Sequence, residues 1–161
     1  MTISKGDRLP DVTMTRIGAE GPETVQLADV LGGRKVIVFG LPGAFTRGCS
    51  QVHLPSFIRT ADKLREKGVD EIVCIAVNDP FVLDAWAEST GGKAAGIAFL
   101  GDSEGALTRA LGMEFSAPPI GLIGRSNRYA ALVEDGVVTF VQVDAPGQCD
   151  LSTGERLLEA M

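Results

Sequence analysis

The sequence has no apolar stretch long enough to cross a membrane. Its longest apolar run, from Val36 to Phe45, is broken by Gly40, Pro42 and Gly43, whereas a spanning helix needs about 20 apolar residues. The opening residues, MTISKGDR, also lack the apolar core of a secretory signal. We therefore expect no transmembrane helix and a cytoplasmic protein.

Positive charge is scarce as well. Lys and Arg number 15 against 21 Asp and Glu, so the net charge is −6 and the pI is about 4.8. No Lys/Arg cluster forms a local exception, which argues against nucleic acid as a partner. Repeats and low-complexity segments are absent, and 45% hydrophobic with 22% charged residues is ordinary globular composition. We expect a single domain over residues 1–161.

Cysteine and histidine are few. The chain has three cysteines, Cys49, Cys74 and Cys149, and one histidine, His53. It has no CxxC pair, which argues against a structural zinc site and against a dithiol redox motif. Three thiols in a reducing compartment do not make a disulfide framework. Any cysteine that matters chemically is therefore expected to act as a reactive thiol.

Strand and helix patterns alternate along the chain. β-branched and aromatic runs predict buried strands, and apolar residues at helical spacing predict helices. Asp135-Gly136 predicts a hairpin, residues 152–155 (STGE) a capping box, and Pro55 loosened first turns in the longest helix. The predicted strands cover residues 35–40, 71–77, 97–100, 128–134 and 137–143, and the predicted helices cover 46–67, 81–88, 105–111 and the segment after the capping box to 161.

This order of elements predicts the fold class. Strands that alternate with helices favour parallel pairing with helices on both faces, and the late hairpin adds antiparallel strands. The predicted fold is α/β, a three-layer α/β/α sandwich around a mixed central sheet, consistent with a thioredoxin-like architecture.

Cys49 has the sequence context of an activated thiol. It follows a strand and the Pro42-Gly43 turn, in the opening turn of the longest predicted helix. Unpartnered backbone N–H groups and the helix dipole favour a thiolate there, and such sites lower a cysteine pKa from about 8.5 to roughly 3.5–7.5. Thr46, three residues earlier, offers a hydroxyl to the same site. Taken singly, Thr46 also fits a helix N-cap, Pro42 a turn residue and Cys49 an inert buried thiol.

Residues 39–57 read FGLPGAFTRGCSQVHLPSF. This segment resembles the active-site segment of peroxiredoxins, and in particular that of the type II, or peroxiredoxin 5-like, group. Pro42, Thr46 and Cys49 match the P-x-x-x-T-x-x-C signature, and the flanking Gly-Ala-Phe and His-Leu-Pro are typical of this group. Residues 125–129 are similar as well, and the resemblance extends over almost the whole chain.

The resemblance implies a role for each matching residue. Cys49 resembles the peroxidatic cysteine, which is oxidised to a sulfenic acid. Thr46 looks like the hydroxyl that hydrogen-bonds the thiolate and the peroxide, and Pro42 is similar to the proline that shields the thiolate from water. Arg128 looks like the remote arginine that lowers the thiolate pKa and polarises the peroxide, with Arg125 as its rival for that role.

Two residues near Cys49 need separate interpretation. Arg47 departs from the family pattern, which usually has proline or another small or polar residue there. It could lower the thiolate pKa further or point into solvent, as most arginines do. His53, four residues after Cys49, could suggest a metal site or a Cys–His pair. Since zinc usually takes four ligands, a hydrogen-bonded structural role is the favoured interpretation.

The thiol that resolves the sulfenic acid is left open. Cys74 lies where plant-like members of the family place a resolving cysteine, but its apolar strand predicts core packing. Cys149 lies in a polar segment near the position used by some animal-like members. A disulfide needs Cα atoms within about 7 Å, so either pairing could require local unfolding. An external thiol, from glutathione, glutaredoxin or thioredoxin, is the third possibility.

Together these features predict a thiol peroxidase that reduces hydrogen peroxide and alkyl hydroperoxides through a cysteine sulfenic acid. The chemistry needs no metal, haem or flavin, so no cofactor is expected. The resemblance also implies a homodimer formed near the active-site loops, with Phe45 as a contact. A peroxide sensor or signalling protein that uses Cys49 stoichiometrically is the alternative, and repeated turnover would distinguish the two. The missing CxxC argues against a general disulfide oxidoreductase.

Overall fold

The computed structural model describes residues 2–161, apart from the side chain of Cys49. The strands are β1 (Thr13–Gly18), β2 (Gly21–Gln26), β3 (Lys35–Gly40), β4 (Glu71–Ala76), β5 (Ala98–Gly101), β6 (Glu114–Ala117), β7 (Leu122–Ser126), β8 (Tyr129–Glu134) and β9 (Val137–Val143), and the helices are α1 (Leu27–Leu31), α2 (Leu54–Glu66), α3 (Pro80–Thr90), α4 (Ala106–Ala110) and α5 (Gly154–Ala160). A π-helical turn, Cys49–His53, precedes α2, and a 3₁₀ turn, Pro118–Ile120, follows β6.

Seven strands form one mixed sheet in the order β2-β1-β5-β4-β3-β8-β9, and β6 pairs with β7 separately. β3, β4 and β5 are parallel, while β8 joins β3 antiparallel. β3 and β4 occupy the middle because they are apolar along nearly their whole length and buried on both faces.

Helices cover both faces of this sheet. Ile37 and Phe39 of β3 face the core beneath α2, α3 and α5, whereas Val36 and Val38 face the core beneath α1 and α4. The predicted three-layer α/β/α arrangement is confirmed. None of the helices within the described residues has the length and apolar character that crossing a membrane requires.

Several predicted elements have the expected bounds. β3 and β9 begin and end where the sequence placed them. Asp135 and Gly136 both have positive φ, 49° and 80°, as an Asp-Gly hairpin turn requires. The first turns of the longest helix are loosened as predicted, since a π-helical turn precedes Pro55.

Other expectations were wrong. The β1–β2 hairpin and the β6–β7 pair were not predicted, because β2 is largely polar and exposed and β6 has only four residues. The predicted strand over residues 128–134 begins one residue later, at Tyr129. Thr153, and not Ser152, is the N-cap of α5, and it accepts a 3.3 Å hydrogen bond from Arg156 N–H. Ser152 Oγ donates instead to the Asp144 carboxylate.

Two close approaches fix the elements around the end of β3. Gly40 lies opposite Tyr129 of β8, and a Cβ at position 40 would collide with the Tyr129 ring. Gly154 places the start of α5 against α2, where a Cβ would lie 2.7 Å from the Ser56 carbonyl oxygen. Gly154 N–H also donates to Ser56 Oγ at 2.9 Å. The end of β3, the start of β8 and the start of α5 therefore meet around the first turns of the long helix.

Candidate active site

The helix that carries Cys49 begins at Arg47 and continues to Glu66, and we call it the Cys49 helix. Its turn from Cys49 to His53 is π-helical. Pro55 explains this widening, because its ring has no N–H to donate and clashes with the carbonyl four residues earlier in a regular α-helix. The Cys49 backbone therefore lies in the first turns of the helix, as the sequence predicted. The Cys49 side chain lies outside the described residues.

The loop between β3 and this helix, residues 41–46, is named here the proline loop. Arg125 of β7 donates from Nη1 to the Pro42 carbonyl at 3.0 Å. Asn78, after β4, accepts at 3.0 Å from Ala44 N–H. Phe45 adopts φ 64°, a conformation rare for a side chain of this size, and is 59% exposed. Two side chains from different parts of the chain thus hold the loop.

Thr46 ends the proline loop. Its hydroxyl donates to the Gly43 carbonyl at 2.7 Å, and its own carbonyl accepts from Ser50 N–H at 2.9 Å. Because a hydroxyl carries a single proton, Thr46 Oγ offers its lone pairs, and not its proton, to a molecule bound at the helix start. Thr46 thus stands directly before the first residue of the helix, Arg47, while its hydroxyl contacts the proline loop.

Arg128 is brought to the start of the same helix. It is buried, with 8% exposure, and its Nη2 lies 2.8 Å from where a Cβ of Gly48 would be. Its Nε donates to the Gln148 carbonyl at 3.1 Å. Arg125 is instead occupied at Pro42. Of the two candidate arginines, Arg128 is the one that lies against the residue preceding Cys49.

His53 is the last residue of the π-helical turn and is fully buried. Its Nε2 lies 3.0 Å from the Ser152 carbonyl, which can only accept, so Nε2 carries the proton. Within the described residues, Nδ1 has no hydrogen-bond partner. Complete burial, reinforced by the positive charge of Arg128, lowers the pKa of His53 to about 3. The histidine is neutral at physiological pH, in line with the hydrogen-bonded structural role predicted for it.

Residues 144–153, named here the Cys149 loop, lie beside Arg128 and His53. Asp144 is 2% exposed. Its carboxylate accepts backbone N–H bonds from Asp150, Leu151 and Ser152 at 3.1, 2.8 and 3.0 Å. Burial alone would raise the pKa of Asp144, but these bonds and the Ser152 hydroxyl outweigh it and lower that pKa.

The remaining two cysteines have contrasting environments. Cys74 is fully buried in β4, which pairs with β3 on one side and β5 on the other. Cys149 is half-buried in its loop. The core position predicted for Cys74 is confirmed, and Cys149 is more exposed, as its polar neighbours suggested.

Sequence reasoning missed three side chains that shape the site. Asn78 was assigned no role at the site from the sequence; its neighbour Asp79 is the N-cap of α3. Arg125 was considered only as a rival to Arg128. Asp144 was not considered at all, because its hydrogen-bond donors lie six to eight residues further along a loop whose conformation the sequence does not reveal.

Comparisons with known proteins identify the family of the chain. The Redoxin family model matches residues 4–158. The chloroplastic peroxiredoxin-2E-2 of Oryza sativa subsp. japonica is 47% identical, over 99% of this chain and 73% of that protein. The solved structure of reduced Prx3 from Vibrio vulnificus in complex with hydrogen peroxide has a TM-score of 0.91 and 40% identity, and the match covers 99% of each chain. Peroxiredoxin 5 from Alvinella pompejana has a TM-score of 0.85 and 36% identity over 98% of this chain and 97% of that one. The chain therefore belongs to the redoxin family and, within it, to the type II or peroxiredoxin 5-like peroxiredoxins, which are thiol peroxidases.

Proposed function

We propose that the Cys49 thiolate is the nucleophile that attacks the peroxide, with Arg128, Thr46 and backbone N–H groups holding the substrate. The observation that supports this most directly is the buried guanidinium of Arg128 against Gly48, directly before Cys49. A fixed cation at the start of a helix favours a thiolate and stabilises negative charge that grows on a leaving oxygen.

The proposed reaction has three balanced steps. The thiolate sulfur attacks the hydroxyl oxygen of the hydroperoxide, the O–O bond breaks, and the leaving oxygen takes a proton to depart as water or alcohol. The sulfur has then lost two electrons and is a sulfenic acid. A reducing thiol condenses with it, releasing water and forming a disulfide, and a second thiol reduces that disulfide and restores Cys49.

The hydrogen bonds of Thr46 and Arg128 suggest how the peroxide is oriented. Thr46 Oγ gives its proton to Gly43, so it accepts the O–H of the peroxide and directs that oxygen toward the sulfur. Arg128 can only donate and is assigned to the oxygen that leaves. Pro42 is half-buried in the proline loop and is assigned the exclusion of water from the thiolate. Hydrogen peroxide fits this arrangement, and it is bound in the similar Vibrio vulnificus structure.

We assign the recycling of Cys49 to an external thiol, either glutathione with glutaredoxin or thioredoxin. Cys74 is disfavoured as an internal resolver, because it would have to leave a strand that pairs on both sides. Cys149 is the better internal candidate. It lies in a loop that is tied to Arg128 and His53, so its approach to Cys49 would break both contacts.

A homodimer is proposed from exposed apolar side chains in the proline loop and within five residues of its anchors Asn78 and Arg125 in the chain. Phe45, Phe81, Ile120 and Ile123 are each between 59% and 72% exposed, and apolar side chains of this exposure are typical of contact surfaces when they lie together. The cytoplasmic location stays a prediction, since the similar rice protein is described as chloroplastic.

Peroxide consumption by reduced enzyme tests the assignment of Cys49 and Arg128. We expect Cys49→Ser to be inactive with hydrogen peroxide and with tert-butyl hydroperoxide, and Arg128→Met to lose roughly 100-fold or more in rate. Arg16→Met is the matched control, because Arg16 pairs with Glu23 on the β1–β2 hairpin. Normal turnover by Cys49→Ser would overturn the proposal, and a single turnover without recycling by any thiol would point to a sensor.

The same assay identifies the resolving thiol. Cys74→Ser and Cys149→Ser are compared with glutathione/glutaredoxin and with thioredoxin as reductants. Full recycling in both variants is the expected result. Loss of thioredoxin-linked recycling in Cys149→Ser alone would instead make Cys149 an internal resolver.

A further inference from the structure

Asp144 and Arg128 are joined in a closed ring of hydrogen bonds. Asp144 N–H donates to the Arg128 carbonyl at 2.9 Å, directly beyond the β8–β9 pairing. The Asp144 carboxylate holds residues 150–152. The Gln148 carbonyl, between these two points, accepts from Arg128 Nε at 3.1 Å. The ring therefore begins at the backbone of Arg128 and returns to its guanidinium.

Each oxygen of the Asp144 carboxylate accepts two hydrogen bonds. One oxygen accepts from Asp150 and Leu151 N–H, and the other accepts from Ser152 N–H and Ser152 Oγ. Four donors on two oxygens suit an anion, because an amide would place an NH₂ group against N–H donors. Asp144 and Ser152 are 2% and 0% exposed, so water has little access to replace lost bonds.

The segment between these anchors forms a turn. Ala145 begins a turn in which Gln148 N–H donates back to its carbonyl at 3.0 Å. Gly147 has φ 82°, and a Cβ placed on it would meet no atom within 4 Å. Asp144 holds residues 150–152, directly after this turn, and so contributes to the position of the Gln148 carbonyl.

We propose that Asp144 is a positioning residue for the peroxidase reaction: its carboxylate fixes the Cys149 loop so that Gln148 holds the Arg128 guanidinium against the start of the Cys49 helix. This inference rests on the role proposed above for Arg128. It assigns to Asp144 no contact with the peroxide. The same loop also presents the Ser152 carbonyl to His53, so Asp144 supports the helix at a second point.

The chain contains a matched control for this residue. Asp102 is 1% exposed, and its carboxylate accepts from Leu107 N–H, Thr108 N–H and Thr108 Oγ. Like Asp144, it is a buried carboxylate that organises the backbone after a strand. Its hydrogen bonds lead to α4, away from Gln148. Asp102→Asn should therefore reproduce the loss of stability without the loss of arginine positioning.

The experiment compares Asp144→Asn, Asp102→Asn and Arg128→Met in two measurements. The first is the rate of peroxide reduction by reduced enzyme, and the second is the pH dependence of Cys49 alkylation by iodoacetamide, read from the mass of the Cys49 peptide. We expect Asp144→Asn to slow peroxide reduction about 10- to 100-fold and to raise the Cys49 pKa, as Arg128→Met does. Asp102→Asn should alter thermal stability alone. In the Arg128→Met background, Asp144→Asn should slow the rate far less than it does in the wild-type background, because only the support through Ser152 and His53 is then left to lose.

The outcomes separate the two proposals. If Arg128→Met leaves both measurements unchanged, the role of Arg128 is wrong. If Arg128→Met changes both but Asp144→Asn changes only stability, Asp144 is merely structural and the inference fails. If Asp144→Asn does not fold, the same two measurements are made on Ser152→Ala. This variant removes one hydrogen-bond donor from the Asp144 carboxylate. A smaller shift in the same direction would support the inference, and unchanged rate and pKa would overturn it.

Discussion

The proline loop and the Cys149 loop border the same helix but are held in different ways. Arg125 and Asn78, which anchor the proline loop, come from separate elements and have no assigned part in the chemistry. The contacts of the Cys149 loop are made by Arg128 and His53 themselves. The first loop can therefore be loosened without displacing the arginine, whereas the second cannot.

This difference suggests that the two loops contribute in different ways to the reaction at Cys49. In the proposed mechanism, the proline loop orients the peroxide through Thr46. The Cys149 loop positions Arg128, the cation proposed to activate the thiolate. A change in the second loop should thus alter the thiolate pKa as well as the rate, and a change in the first should alter the rate alone.

The largest expected effect is a loss of folding stability at low pH, and it concerns the contact between the Cys149 loop and His53. The pKa of His53 is about 3 in the fold against 6.5 ordinarily, through burial and then Arg128, while the Asp144 charge opposes the shift. The unfolded chain therefore binds more protons between these values, so stability falls as pH drops below 6.5. At about 1.4 kcal/mol per pH unit, the loss between pH 6.5 and pH 4.5 is about 3 kcal/mol. Denaturant unfolding between pH 7 and 4.5 measures it.

His53→Gln is the comparison for this experiment, because glutamine can still donate an N–H toward Ser152 but does not titrate. Its stability should be nearly flat over the same range. The lowered pKa of Asp144 costs stability only as pH falls below its ordinary value of 3.8, so the chosen range excludes that contribution. Parallel curves for wild type and His53→Gln would contradict the assignment.

The next effect tests whether Arg128 can be displaced without being mutated. Gly48→Ala places a Cβ 2.8 Å from Arg128 Nη2, closer than van der Waals contact allows, so the guanidinium must move. We expect peroxide reduction to slow roughly 10- to 100-fold. Stability should be unchanged or higher, since alanine favours a helix more than glycine does. Rate and thermal unfolding are measured together, and a normal rate would show that the guanidinium tolerates displacement.

A smaller effect is expected from the proline loop. Arg125→Ala and Asn78→Ala each remove one of its two anchors, and each should slow the reaction about 3- to 10-fold, in proportion to one lost hydrogen bond. When only one anchor is removed, the other still holds the loop. The double variant should therefore react more slowly than the product of the two single-variant relative rates predicts. The Cys49 pKa should stay constant throughout. A raised pKa in Arg125→Ala would give Arg125 the role assigned to Arg128.

The smallest effect is expected at Arg47. Its side chain is exposed on the first turn of the Cys49 helix, where solvent screens its charge. Arg47→Ser should change the peroxide rate by less than about 2-fold and leave the Cys49 pKa nearly unchanged. A large change at low salt that disappears at high salt would show that this cation acts on the thiolate after all.

The sequence predicted the parts of the fold that depend on local patterns. β3 and β4 are apolar runs, and Asp135-Gly136 has its own turn chemistry, so both were predicted correctly. β2 was missed because an edge strand can be polar and still pair. The start of β8 was predicted one residue too early, at Arg128, because the pairing with Gly40 that places it at Tyr129 is not visible in the sequence.

The same holds for the candidate site: local patterns in the sequence revealed some of its residues, and only the folded structure revealed others. Cys49, Thr46 and Pro42 lie close together in the chain, so a motif revealed them. Arg128 came from a resemblance, and the fold then brought it to Gly48. Asp144 has no such signal, because its importance arises from contacts that only the folded loop creates.

The contact between Gly154 and α2 fixes the length of the Cys149 loop as well as its position. One end of the loop is set by Asp144 at the end of the β8–β9 pairing, and the other by a glycine with no room for a side chain. A residue inserted or deleted between them cannot be absorbed by sliding α5 along α2. Length variation at this point should therefore be far less tolerated than at the Asp135-Gly136 hairpin, at the opposite end of β9. A set of one-residue insertions at both places would rank the two.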